Sequence, residues 1–183
     1  MEQNTLNQNI WHAASTAGLA LGAVSSGYLF LTQWIAGDLS PATLGQSALV
    51  MVLSVIKFAA CIFLMRLFMT KFALENSDAQ RKDIFRMGMR TALLSSLLFS
   101  AVMLANILYI SSDLYNAAFT AALEQSHPML DSATRSLALK ILPQACFIWN
   151  FIYCFIFGTV LSAILSRRIS AQGLIEESNS NEQ

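Results

Sequence analysis

Four stretches of about 20 or more mostly apolar residues dominate this sequence, each long enough for a helix to cross the ~30 Å hydrocarbon core of a bilayer. They run over residues 13–36, 46–70, 91–111 and 141–165. The first, third and fourth carry no charged side chain, and the second carries Lys57 and Arg66. A backbone in lipid must satisfy its own hydrogen bonds, so helices are the expected form. The rest of the composition agrees. Only 12% of residues are charged and 55% are hydrophobic, with a mean hydropathy of +0.53. That charge content is about half the ~25% of a soluble domain. Eleven Lys+Arg balance eleven Asp+Glu, so no positive excess exists to neutralise phosphates, and nucleic acid is not expected as a partner. The expected fold is all-α: an integral membrane protein with four transmembrane helices in a bundle.

The distribution of cations sets an expected orientation. Arg66, Lys71, Arg81, Lys82, Arg86 and Arg90 lie in or beside the second loop, and Arg167 and Arg168 follow the fourth span. The first loop has no cation, and the third has only Arg135 and Lys140. Both termini and the second loop are therefore expected to be cytoplasmic. Trp11 and Trp34 bracket the first span, and Tyr109 and Tyr115 flank the outer end of the third, as interfacial aromatics do. The first apolar stretch exceeds a signal-peptide core of about 7–15 residues and has no basic region before it, so it is expected to be retained.

The connections are short and readable. Asp38, Ser40 and Pro41 suit a tight turn between spans one and two. Asn76 or Ser77 is expected to cap a helix that runs past Asp78, Ile84 and Met87 into span three. The third loop, residues 112–140, places Tyr115, Phe119 and Leu123 four apart, which is one apolar helical stripe. It reads as a short helix lying on the outer face, broken at Ser126-His127-Pro128. A further helix starts near Asp131 or Ser132 and enters span four, with Pro143 as a kink or an entry mark. Residues 1–170 form one membrane domain in this reading, and 171–183 a polar, disordered cytoplasmic tail. The two hairpins run in the same inferred direction, but no residue-level repeat links them.

Several residues invite a functional reading beside a structural one. Gly18, Gly22 and Ser26, with Ala14, stand four apart on span one, and Cys154 and Gly158 continue a similar stripe through Cys146, Asn150 and Ser162 on span four. Such stripes admit a partner helix, or a neighbouring helix of the same chain. Asn106 and Asn150 suggest a hydrogen bond across the bundle, either as helix glue or as part of a polar path. Lys57 stands out most. A lysine near a bilayer centre costs ~2.5–3.5 kcal/mol on insertion scales and marks a functional site by default. No Asp or Glu lies in any span to pair with it. It either meets an anionic ligand inside the membrane or snorkels to an interface. The basic cluster Arg66, Lys71, Arg81, Lys82, Arg86 and Arg90 suits anionic lipid headgroups or an acidic partner, or only sets topology.

No catalytic motif occurs. Asp38, Asp113, Glu124, His127 and Asp131 are too scattered for an acid–base pair. Cys61, Cys146 and Cys154 fall in expected spans, which implies no structural disulfide. His12 and His127 fall on opposite expected sides, so no metal and no cofactor is expected.

The stretch NIWHAASTAGLALGAVSSGYLFLTQW resembles the opening of a bacterial membrane family called domain of unknown function 4199. FRMGMRTALLSSLLFSAVMLANILYI resembles its second-half signature, with a basic segment and Gly88 leading into a span. GTVLSAILSRR resembles its closing span, which ends in small residues and a basic stop. The resemblance covers roughly residues 8–170, and the chain departs from it in carrying Lys57 mid-span. It implies four spans in a bacterial inner membrane and no assigned activity, so it transfers no site residue. Together these readings suggest an accessory or scaffold subunit that packs with itself or with another membrane protein. The alternative is a small transporter, channel or lipid- or anion-binding protein with a polar interior around Lys57.

Overall fold

A computed structural model describes residues 2–36, 44–76, 79–126 and 131–180. Five α-helices follow one another: α1 (Glu2–Ala36), α2 (Leu44–Glu75), α3 (Arg81–Ala105), α4 (Ser112–Ser126) and α5 (Ser132–Ser180). A π-helical turn, Asn106–Ile110, joins α3 to α4. No strand occurs among the described residues. Four segments are long and apolar enough to cross a membrane: Leu6–Ile35, Ser47–Glu75, Arg81–Ile110 and Ala133–Ile169. They match the four expected spans, falling one residue short of the first three at one end and extending past all four elsewhere, because an α-helix continues into the polar layer while its residues still favour it.

The long helices pack around α3, which lies between α1 and α5, whereas α2 rests mainly on α1 and touches α5 lightly. Small residues make the close approaches. A Cβ added at Gly18 would stand 2.8 Å from Leu94 Cβ, and one at Gly158 would stand 2.6 Å from Ala92 Cβ. Gly88 is closed off in the same way, 2.7 Å from Ser162 Oγ and 2.9 Å from Ser162 Cβ. Gly22 faces Leu98. The stripes on spans one and four thus seat α3 within this chain. Ser26 on the same stripe has a buried hydroxyl with no partner among the described residues.

The apolar core gathers at one end of the bundle. Ile10, Met65, Met69, Phe72, Ile84, Met87, Leu165 and Ile169 are buried there, from all four long helices. Arg66, Lys71, Arg81, Lys82, Arg86 and Arg90 lie at this end, on the last part of α2 and the first part of α3, as does the start of α1. Side chains facing away from the bundle are large and apolar, such as Val55 (63% exposed), Phe63 (65%) and Trp149 (76%). Such a surface suits lipid rather than water, consistent with a transmembrane helical protein.

The second loop differs from expectation. Asn76 does not start α3. Its backbone N–H and its Nδ2 both donate to Phe72 O, at 3.1 and 3.0 Å, which closes α2. The α3 cap is Gln80, whose N–H donates to Asp83 Oδ2 at 3.2 Å. Asp83 sits at the third helical position, where its side chain reaches back to the cap. Ser77 and Asp78 lie outside the described residues. So do the first turn with Asp38, Ser40 and Pro41, and the break at His127 and Pro128. α4 ends at Ser126. Its stripe of Tyr115, Phe119 and Leu123 is half-buried, while Asp113 and Glu124 are exposed. α5 passes through Pro143 and continues as helix to Ser180, covering most of the segment expected as a disordered tail.

Asp131 starts α5. Its Oδ2 accepts the Thr134 N–H at 3.4 Å, and Arg135 Nη1 donates to Glu124 Oε1 at 3.0 Å, tying α5 to α4. Hydrogen bonding from the Thr134 side chain, then from its backbone, holds the Asp131 carboxyl below its ordinary value. A carboxyl lowered by folding stabilises the helix start fully above its unfolded pKa, and the effect fades as pH falls through the lowered folded value. The protection factor of the Thr134 amide should therefore be full near neutral pH and fall as the pH drops through the lowered Asp131 value. Equal exchange in Asp131→Ala at neutral pH would show that the cap contributes nothing.

Candidate functional site

Lys57 is carried inward by α2. Its Nζ lies 4.9 Å from the Tyr28 ring centroid and 5.1 Å from that of Phe99, within the ~6 Å range of cation–π attraction. The amine therefore points between α1 and α3, not along α2 toward an interface, and the structure does not show snorkelling. Among the described residues it has no carboxylate partner: the ion pairs are Lys71–Glu75, Arg86–Asp83 and Arg135–Glu124. Depth explains why the position is unusual. Lys57 is ten residues from Ser47 and nine from Arg66, about 15 and 14 Å along a helix.

Beside the amine is a cavity of about 110 Å³ to which α1, α2, α3 and α5 all contribute. Ser25, Cys61, Thr91, Ser95, Tyr153 and Cys154 are the polar residues that line it with Lys57, and Phe58 and Phe157 line it from α2 and α5. Those two rings are 4.7 Å apart and tilted by 57°. The Ser25 hydroxyl is 3.9 Å from Cys61 Sγ, and the Ser95 hydroxyl donates to Ala92 O at 3.2 Å. Tyr28 is held in place by a hydrogen bond to Ser54. Liquid water occupies about 30 Å³ per molecule, so the cavity suits a few waters or one small charged group.

Lys57, Asn106 and Asn150 do not form one constellation. Asn150 Nδ2 donates to Ser100 Oγ at 3.1 Å, and Cys154 Sγ lies 3.8 Å from Asn150 Oδ1. Asn106 is fully buried in the π-helical turn. There its Oδ1 accepts from Ser111 Oγ at 3.3 Å, and its Nδ2 donates to Tyr115 Oη at 3.4 Å. Gln33 Nε2 also donates to Tyr115 Oη, at 3.2 Å, so the cluster anchors α4 to α1. The expected Asn106–Asn150 bond is replaced by these two. Asn106 lies five residues from the end of its expected span and Asn150 nine residues into its own, a mismatch of about 6 Å in depth.

The six basic residues are spread over α2 and α3. Arg66, Arg81, Lys82 and Arg86 are exposed, and Lys71 pairs with Glu75 at 3.7 Å. Arg90 is occupied differently: its guanidinium lies 4.5 Å from the Trp11 ring centroid, and Nη2 donates to Asn7 Oδ1 at 3.2 Å. It fastens the start of α1 to α3. Arg90→Ala should therefore speed amide exchange around Trp11 by roughly an order of magnitude, the effect of losing ~1–2 kcal/mol of local contact. Unchanged exchange would mean that apolar packing alone holds α1.

No protein-family model, curated protein or solved structure matches the chain. Among the described residues, no group of three or more His, Cys, Asp or Glu is placed to hold a metal ion. The candidate site is therefore the Lys57 cavity. Lys57 was legible in the sequence as an unpaired mid-span cation. Tyr28, Phe58, Phe99, Tyr153 and Phe157 were not singled out there. Tyr28 and Tyr153 carried a usable signal, since both are tyrosines inside spans, away from the interfacial belts where tyrosine is common.

Proposed function

We propose that this chain is a membrane-embedded binding protein that takes the negatively charged group of an amphiphile at Lys57. One observation carries the reading: an unpaired ammonium held on two aromatic rings beside a cavity, at a depth where an unpaired charge is expensive. An anion entering that cavity would supply the missing countercharge. The small-residue stripes, which first favoured a scaffold, are occupied by α3. In this reading both termini face the cytoplasm of a bacterial inner membrane. The orientation rests on the basic end, and the compartment on the resemblance to domain of unknown function 4199.

The test uses full-length protein in nonionic detergent, titrated with dodecanoate and with dodecanol. Dodecanoate should bind at least about tenfold more tightly than dodecanol, and the difference should vanish in Lys57→Met. Equal binding of acid and alcohol by the unaltered protein would overturn the proposal.

A second reading, an accessory or scaffold subunit, draws on α2. Val52, Val55, Ile56 and Phe63 give it an exposed apolar face, each more than half exposed. A second copy or another membrane protein would sit there in place of lipid. Disulfide crosslinking at Val55→Cys should then trap a dimer or a defined adduct, and a monomer at all protein-to-lipid ratios would dismiss it.

A further inference from the structure

The Lys57 cavity is too small for a whole ligand, so the rest of the molecule must lie outside it. On the lipid-facing side of α5 is an apolar groove of about 430 Å³, from Trp149 to Val160. Tyr153 and Phe157 belong to both the cavity and the groove. The cavity and the groove thus adjoin at these two side chains. Tyr153 is 60% exposed, and its hydroxyl has no hydrogen-bond partner among the described residues. A phenol exposed to hydrocarbon without an acceptor is unfavourable.

We infer that the ligand is a single-chain, long-chain monocarboxylate, its carboxylate bound by Lys57 Nζ and the Tyr153 hydroxyl and its alkyl chain lying in the α5 groove. The inference rests on the reading of Lys57 as an anion site and deepens it. Three arguments select the class. Charge comes first: one ammonium matches one carboxylate, whereas a phosphate monoester carries about −1.5 to −2 at pH 7 and would bring excess charge into the bundle. Depth comes second. A phospholipid holds its phosphate at the interface, about 14–15 Å from Lys57. A carboxylic acid reaches that depth in its neutral, protonated form and gives up its proton to water on pairing, because the opposite charge favours the carboxylate. Size comes third: a cavity of about 110 Å³ has room for one carboxylate and not for a bulky headgroup.

The probe is dodecanoate bearing a diazirine at mid-chain, photolysed with the full-length protein in bilayer nanodiscs. Labelling should concentrate on Trp149, Ile152, Ile156 and Val160. Excess dodecanoate should compete it away, and dodecanol should not. Tyr153→Phe should weaken dodecanoate binding by roughly tenfold, as the loss of a hydrogen bond to a charged group does. Label spread evenly over the lipid-facing residues of α2 and α5, with dodecanoate binding still dependent on Lys57, would overturn the groove assignment and leave the anion site standing. Octadecyl phosphate binding as tightly as octadecanoate would overturn the carboxylate class. Binding of every probe unchanged in Lys57→Met would remove both the inference and the reading beneath it.

Discussion

Lys57→Met is expected to make the ligand-free protein more stable, not less. Insertion of the cation costs ~2.5–3.5 kcal/mol. Its two ring contacts return about two-thirds of that, at ~1 kcal/mol each for a half-buried ammonium. Methionine keeps the length of the side chain and packs against Tyr28 and Phe99 without the charge. The balance favours the variant by roughly 1 kcal/mol, a rise of about 2–4 °C in the melting midpoint for a chain of this size. The same variant should lose dodecanoate binding and any ligand-induced stabilisation. A structural lysine would behave in the opposite way, with Lys57→Met melting earlier. Thermal melts with and without dodecanoate read both effects.

The second large effect is expected at the α3–α5 seam. A Cβ at Gly158 would meet Ala92 Cβ at 2.6 Å. Ala92 is buried at 3% exposure and its Cβ cannot move without its backbone. Gly158→Ala should therefore cost about 1–3 kcal/mol through overpacking, and Gly158→Leu more. Gly27 and Gly45 provide the control, since nothing lies within 4 Å of a Cβ at either. Gly27→Ala should be neutral or slightly stabilising, as helix propensity favours alanine. If Gly158→Ala and Gly27→Ala melt alike, α3 and α5 are not seated through Gly158.

The spans were legible because length and hydropathy fix them without reference to any neighbour. The α4 helix was legible because Tyr115, Phe119 and Leu123 form a stripe that an interfacial helix needs. Lys57 was legible as an anomaly. What surrounds it was not, for a physical reason. A helix that is apolar all round carries almost no periodic signal to say which face turns inward. The meeting of Tyr28, Lys57 and Phe99 depends on the rotation of three such helices. The Asn106–Asn150 pairing failed because residue type was matched and depth was not. Ser100 lies at the level of Asn150, and a hydroxyl serves its amide equally well. The α3 start was misplaced by a few residues because Asn76 suits either end of a helix, and its side chain closes α2 instead.

The central claim is that an anion occupies the Lys57 cavity. The three native cysteines test it directly. Cys61 and Cys154 line the cavity and Cys146 does not; all three are free and half-buried. The measurement is the rate of alkylation of each by membrane-permeant N-ethylmaleimide, with and without saturating dodecanoate. The account expects dodecanoate to slow Cys61 and Cys154, to leave Cys146 unchanged, and to have no effect in Lys57→Met. Equal slowing of all three cysteines, or protection that survives Lys57→Met, would contradict it.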